Sequence, residues 1–301
     1  MRVMLVHNPD AGGNKLPDRK ALLAMIRAAG HTVHYCSSHD RRLPKTLKRP
    51  ADLVAIAGGD GTVAKVIKLT YRRRVPLAVL PTGTANNIAT TLGLTKVPLE
   101  REPSRWSSAQ RIRIDIGRAA GPWGCARFVE AFGLGVVPSG IRQAKAAAAS
   151  APRGAAEYAV SNAVRVMRSA LCNCTSVPVR ATLDGRDISG RYLLLEAMNM
   201  SFVGPNLNLA ARADPGDGRL DIVLVTERER DLLDRYLAAE ERGDSRAAAL
   251  PARRGRSLQI EWSGFAVHID DRPWPTRRRR SHKGTIEISL YGDGVEFLVP
   301  A

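Results

Sequence analysis

Three short glycine-bearing segments stand near the start of the chain: Asn8-Pro9-Asp10-Ala11-Gly12-Gly13, Gly58-Gly59-Asp60-Gly61-Thr62 and Pro81-Thr82-Gly83-Thr84-Ala85-Asn86-Asn87. Glycines lack a Cβ, so the main chain can approach phosphate oxygens and aim N–H groups at them. Asp60 cannot face a phosphate without repulsion, so a cation is expected between them. Mg2+ suits that role, because it binds through a carboxylate together with phosphate oxygens. A lone Gly-Gly-Asp-Gly reads equally well as an Asp-Gly turn. Three such segments on one sheet point instead to a nucleotide or polyphosphate site.

Each segment follows an apolar run, at residues 3–6, 53–57 and 77–80. Residues 17–29 read as a helix, with Leu22, Leu23 and Ile26 on one stripe and Gly30 closing it. Strand, glycine turn and helix in repetition imply a parallel sheet with its loops at the carboxyl edge. A helix that directly follows a phosphate loop adds a favourable dipole. Near residue 111 the pattern changes to alternation, with Ile112, Ile114 and Ile116 on one face. Later runs at 177–183, 192–198, 220–225, 258–262, 266–269 and 286–290 are short or alternating, as in an antiparallel sandwich or barrel. Two helices are expected among them. Residues 156–171 align Val160, Val164, Met167 and Leu171; residues 227–242 align Leu233, Tyr236 and Leu237. Both stripes suit a core. The first also suits a basic lid resting on a membrane.

The chain carries 46 Lys and Arg against 29 Asp and Glu, a net charge of +17. Such a field attracts polyanions: nucleic acid, an anionic membrane or phosphate-bearing ligands. No helix-turn-helix, zinc-finger or aromatic RNA-binding pattern supports specific nucleic-acid recognition. The densest basic patch, Arg277 to Arg280 with His282 and Lys283, suits anionic lipid head groups. Cys36, Cys125, Cys172 and Cys174 show no zinc-ligand spacing and read as free thiols of a reduced, cytoplasmic protein. The histidines show no ligand spacing either, and His268 reads as structural. No apolar run is long enough to span a bilayer. Trp106, Trp123, Trp262 and Trp274 read as core or cleft residues.

The motifs N-P-x-x-G, G-G-D-G-T and P-x-G-T-x-N, in this order, resemble the catalytic domain of diacylglycerol kinases, sphingosine kinases and their bacterial lipid kinase relatives. Asp214-Pro215-Gly216-Asp217-Gly218-Arg219-Leu220-Asp221 resembles the family's D-x-x-D-G-x-L-D turn, and residues 267–274 stand where the family has its Asp-Gly-Glu motif. The resemblance implies an α/β N-terminal domain over 1–115, with a parallel sheet like those of phosphofructokinase and NAD kinase. A C-terminal β-sandwich domain over 116–301 would follow, with the return of the last strand to the first domain left open. ATP would lie between them. Asn8, Pro9, Gly12, Ser37, Gly58, Gly59, Asp60, Gly61, Thr62, Gly83, Thr84 and Asn86 would surround the nucleotide. Asp60 would hold a catalytic Mg2+ through water. Asp214, Asp217 and the Arg219 carbonyl match a structural metal turn of bacterial members, or a plain β-turn. Asp270 matches the aspartate that accepts the proton of the lipid hydroxyl. The implied activity is transfer of the γ-phosphoryl group of ATP to a diacylglycerol-like or sphingoid-like hydroxyl by a cytoplasmic protein peripherally associated with anionic membrane.

Three departures share a direction. The helix after G-G-D-G-T continues in the family with Asn-Glu and here with Ala64-Lys65. P-x-G-T-x-N is followed by Asn87 rather than Asp, and Asp-Gly-Glu reads Asp270-Asp271-Arg272. Each change removes a negative charge from a position expected near Mg2+. A nucleotide- or lipid-binding relative with little or no kinase activity is therefore the alternative. A soluble-substrate kinase of the NAD kinase type shares Gly-Gly-Asp-Gly but not the two flanking loops.

Overall fold

The computed structural model describes residues 1–11, 17–149, 159–244, 249–275 and 283–300. The chain divides into two compact units, Met1–Ile114 with Asp293–Ala301, and Asp115–Gly292.

The N-terminal unit alternates β1 (Arg2–His7), α1 (Arg19–Ala28), β2 (Thr32–Ser37), α2 (Leu43–Thr46), β3 (Leu53–Gly58), α3 (Asp60–Thr70) and β4 (Leu77–Pro81). Two short helices, α4 (Asn87–Thr91) and α5 (Glu102–Arg105), follow. The strands lie in the order β2, β1, β3, β4, all parallel. All six residues of β3 are buried, as a central parallel strand covered on both faces requires. Helix α1 starts where the Asp18 carboxylate accepts the Ala21 N–H at 2.8 Å, and it ends before Gly30 at φ +77°. Its Leu22 and Ile26 pack against Val3, Leu5, Leu53 and Ala55. The stripe read from residues 17–29 is thus the face that closes this core.

β5 (Gln110–Gly121) leads into the C-terminal unit. There follow β6 (Gly124–Phe128), β7 (Ala131–Gly135), α6 (Val136–Ala149), α7 (Ala159–Cys172), β8 (Val177–Leu183), β9 (Arg186–Asp187), β10 (Gly190–Met198) and β11 (Leu220–Thr226). The unit is completed by α8 (Arg230–Glu241), β12 (Ala252–Gly255), β13 (Ser257–Trp262), β14 (Val267–Ile269), β15 (Arg272–Trp274) and β16 (Gly284–Val299). The end of β16 rejoins the N-terminal unit, where Phe297 pairs parallel to Leu77 of β4.

The sandwich is antiparallel. β10 pairs with β7 on one side and β11 on the other, while β13 joins β8 to β16. Phe128, Phe132, Leu195, Ile222, Ile260 and Ile288 fill the space between the sheet faces. The architecture is richer in helix than the alternating runs suggest. α6 packs Val137 and Ile141 with Val164 and Met167 of α7 and Leu233 and Leu237 of α8. These helices cover the outer face of β10 and β11, which is why those strands read as continuous apolar runs. Val164, Met167 and Leu171 of the α7 stripe are spent on this core, so its reading as a membrane lid falls. Arg168 on its other face pairs with Asp234 of α8 at 2.8 Å.

Candidate functional site

In the N-terminal unit the phosphate-type loops leave the carboxyl ends of adjacent strands. The Asn8 N–H donates to the Ala57 carbonyl at 2.8 Å, and the Thr82 N–H to the Gly58 carbonyl at 3.3 Å, so the loops after β1, β3 and β4 form one rim. Gly59 and Gly83 lie back to back. A Cβ on Gly59 would stand 3.0 Å from the Gly83 Cα, and one on Gly83 would run into Gly59 and stand 2.8 Å from the Asn86 Oδ1. A glycine is required at both positions because the two main chains touch.

Asp60 closes the same joint. It opens α3 directly after β3, and its Oδ1 accepts the Ile88 N–H at 2.9 Å. Burial pushes its carboxyl above the ordinary range, and the main-chain N–H groups of Ile88 and Asn87 pull against that. Asn86 sits at φ +53° and uses both side-chain groups on Gly83: Oδ1 accepts its N–H at 2.9 Å and Nδ2 donates to its carbonyl at 2.8 Å. Asn86 thus braces the loop. Thr62 is buried, and its side chain packs over Gly58. Thr84, Gly61 and Pro9 are exposed on the rim. Asn8 turns its loop by accepting the Asp10 N–H at 3.2 Å, and the Ser37 hydroxyl accepts the His39 N–H at 3.2 Å. Lys65 donates to the Ser38 carbonyl at 2.6 Å, so the charge that replaces the family's Glu ties α3 to the end of β2. Gly12 lies outside the described residues, as do residues 277–280 and His282 of the basic patch.

The C-terminal candidates gather around a second joint. Asp270 is buried at φ +51°, a left-handed conformation that costs an L residue energy. Its Oδ1 accepts the Val129 and Glu130 N–H groups, both at 2.8 Å, and its N–H donates to the Ala131 carbonyl at 2.9 Å. The Asn199 amide donates to the Val129 carbonyl at 2.8 Å and the Asp115 carbonyl at 3.0 Å. The Asp115 Oδ2 accepts the Gly218 N–H at 2.8 Å. A chain of hydrogen bonds therefore links the turn at Asp214–Asp221 to Asp270.

Behind Asp270 lies a pair that the sequence does not announce. His268 and Glu196 are fully buried, and the His268 Nε2 stands 2.8 Å from the Glu196 Oε2. The His268 Nδ1 meets the Asp270 carbonyl at 2.7 Å. A carbonyl only accepts, so Nδ1 carries a hydrogen. The contact at Nε2 needs one further proton, on the imidazole or on the carboxyl. Burial pushes the Glu196 carboxyl up, opposed by His268. Burial alone would push the imidazole down, but Glu196 and the Asp270 carbonyl carry it up on balance. Gly133, facing both residues across β7, leaves the space that the Glu196 carboxyl fills. Glycines at 133 and 135 of an otherwise apolar strand were the available signal, since a strand glycine marks a close approach.

The two proposed metal positions differ in fit. Among the described residues no three His, Cys, Asp or Glu side chains converge as a metal cluster. At the turn, the Asp217 carboxylate meets the Arg254 guanidinium, which also stands 3.6 Å from Asp221. Asp214 Oδ1 and Asp217 Oδ1 accept the Gly216 and Arg219 N–H groups at 3.0 and 2.9 Å. The positive charge at this turn is an arginine, and the donor set does not fit a bound cation. Asp60 offers one carboxylate beside a phosphate-type rim, which fits Mg2+ held mainly by phosphate oxygens and water. The Asp271 carboxylate, within the altered Asp-Gly-Glu segment, pairs with Lys145 of α6 at 3.0 Å, and Arg272 is exposed.

Comparison with known proteins finds matches on both units. Residues 2–119 match the diacylglycerol kinase catalytic domain, and residues 135–273 match the YegS C-terminal NAD kinase beta sandwich-like domain. The chain is 26% identical over 241 residues to a protein of Mycobacterium tuberculosis strain H37Rv named "Diacylglycerol kinase", covering 77% of this chain and 75% of the relative. It is 25% identical over 260 residues to a Stenotrophomonas maltophilia protein named "Probable lipid kinase YegS-like", covering 80% and 79%. The crystal structure of a diacylglycerol kinase from Bacillus anthracis superposes with a TM-score of 0.71 at 20% identity, covering 99% of this chain and 96% of that one. With one family model on each unit and relatives that span both, the chain belongs to the bacterial lipid kinase family built on the diacylglycerol kinase catalytic domain.

Proposed function

We propose that this protein transfers the γ-phosphoryl group of ATP to the hydroxyl of a diacylglycerol-like or sphingoid-like lipid. The observation that carries the nucleotide half is the contact of Gly59 with Gly83, reinforced by Asp60 bonded into α4. It makes two loops into one backbone cradle at the start of an eleven-residue helix, where unpaired N–H groups and the helix dipole favour phosphate. Asn8, Pro9, Ser37, Gly58, Gly61, Thr62 and Thr84 border that cradle in this reading. Mg2+, when bound at Asp60, would offset charge on the phosphate oxygens.

The acceptor half rests on Asp270. The lipid oxygen forms the new bond to the γ-phosphorus, the bond to the β–γ bridging oxygen breaks, and ADP leaves with that electron pair. The hydroxyl proton passes to the Asp270 carboxylate, which the Val129 and Glu130 N–H groups hold in a fixed orientation. Asp214, Asp217 and Arg219 act by shaping the turn that Asp115 and Asn199 connect to Asp270. Among the described residues no helix is long and apolar enough to cross a membrane. With a net charge of +17, peripheral attachment to an anionic bilayer is the proposed route to the lipid.

Lys65, Asn87 and Arg272 in place of family acids support a second reading, nucleotide binding with little turnover. An ATP-consumption assay with Mg2+ and mixed bacterial lipids in detergent micelles decides between them. The kinase reading expects lipid-dependent turnover that disappears in Asp60→Ala and in Asp270→Asn. ATP binding abolished by Asp60→Ala, with no turnover on any lipid, would overturn it in favour of the binding protein.

A further inference from the structure

Residues 72–74 are three consecutive arginines in the connection from α3 to β4. Arg111 and Arg113 alternate on β5 and so share a face. These five arginines line one surface cavity of about 770 Å³ in the N-terminal unit, with Glu296 as the acidic residue of its lining. Glu296 engages Arg111 at 3.5 Å. Arg73 is anchored by its Nη2, which donates to the Arg49 carbonyl at 3.1 Å, and the Arg72 guanidinium lies over the Tyr71 ring at 5.4 Å. The carboxyl end of α3 attracts cations, but Lys68 already stands in its last turn, and that dipole does not account for two arginines from another strand. Like charges gathered in one concavity repel each other unless an anion joins them.

The cavity is not part of the phosphate-type rim. It lies where β4 begins, at the amino edge of the parallel sheet, whereas Gly59 and Gly83 lie at the carboxyl edge. A strand of this length separates the two edges by roughly 15 Å. We propose that this cavity is a second anion site, which binds a phosphomonoester through Arg72, Arg74, Arg111 and Arg113. Planar guanidiniums pair with phosphate oxygens two at a time, and a phosphomonoester brings close to two negative charges at neutral pH. The same chemistry is offered by a soluble phosphate and by a lipid phosphate head group. The site does not depend on the kinase reading, because none of its residues belongs to the nucleotide or acceptor machinery.

The test compares the wild-type protein with the Arg72→Ser/Arg74→Ser double variant, whose two changes are at exposed side chains. Inorganic phosphate is titrated calorimetrically at constant ionic strength; the glycine loops are the same in both proteins, so the difference between the two titrations belongs to the arginine site. Both proteins are also sedimented with phosphatidylcholine vesicles that contain or lack phosphatidic acid. The expected result is phosphate binding by the wild type that weakens at least tenfold in the variant, about the effect of losing one charge-assisted hydrogen bond. Sedimentation with phosphatidic acid vesicles that is lost in the variant assigns the ligand to a lipid. Arginine-dependent phosphate binding with vesicle binding unchanged assigns it to a soluble phosphomonoester. Equal phosphate affinity and equal vesicle binding in the two proteins, or no binding of either probe, overturns the proposal.

Discussion

The rim of the N-terminal sheet and the turn at Asp270 hold their aspartates by opposite means. Asp60 is held by main chain from a neighbouring loop, and that loop is positioned by the contact between Gly59 and Gly83. Asp270 also accepts main-chain N–H groups, but its left-handed backbone rests on the fully buried pair of His268 and Glu196. The first joint fails when a Cβ is added; the second fails when a charge loses its partner. Buried ionisable pairs are the costlier to break, because the survivor remains in a dry interior.

The largest effect is therefore expected at the pair. His268→Leu should cost about 3–5 kcal/mol of stability in denaturant titration, by stranding the Glu196 carboxyl. A loss below about 1 kcal/mol would show that the core readily admits water there and would end the contrast. The pair also predicts a pH dependence. Both folded-state pKa values are raised, so the folded protein keeps protons that the unfolded chain gives up above the ordinary glutamate and histidine values. Stability from the pair is complete below about pH 4.5, the ordinary glutamate value, declines as pH rises above it because the unfolded Glu196 ionises first, and declines further above about pH 6.5 as the unfolded His268 gives up its proton, each by about 1.4 kcal/mol per pH unit until the folded group itself deprotonates. Glu196→Gln supplies a neutral amide to the same imidazole nitrogen. It should flatten this slope while keeping the fold; an unchanged slope would place the titrating group elsewhere.

Next in size is Gly83→Ala. The added methyl runs into Gly59, and main chain on both sides limits relaxation. A stability loss of about 1–3 kcal/mol is expected, together with loss of nucleotide binding measured by calorimetry. Normal nucleotide binding in a folded Gly83→Ala protein would mean that the back-to-back contact is packing alone.

The same contrast explains what could be read from the sequence. Glycine spacing at 58–61 and 83 is legible because main-chain approach is a local demand that few other residues meet. Helix α1 and the strand at 177–183 are legible because their burial follows a short period, and the strand at 220–226 because it is an unbroken apolar run. The pair behind Asp270 is not, because Glu196 and His268 come from strands 72 residues apart and each sits in an ordinary apolar run. Nor is the charge balance at Asp217, which depends on Arg254 of β12 reaching the turn. The covering of β10 and β11 by α6 is also a long-range result, carried by Val137 and Ile141 ahead of the alanines.

The smallest expected effect concerns Lys65, which stands on the legible side of the comparison yet departs from the family pattern. Its amine donates to the Ser38 carbonyl beside Ser37, so the residue both ties α3 to β2 and adds positive charge near the rim. Lys65→Met removes both roles, while Lys65→Glu removes the tie and supplies the family's acid. If the charge sets the metal requirement, half-saturating Mg2+ in nucleotide binding should fall about two- to fivefold in Lys65→Glu, less in Lys65→Met, and the difference should shrink with added salt. If the tie is what matters, the two variants should weaken nucleotide binding equally with no change in Mg2+ requirement. In that case the N-terminal site, like the one at Asp270, depends on a side-chain contact that no motif records.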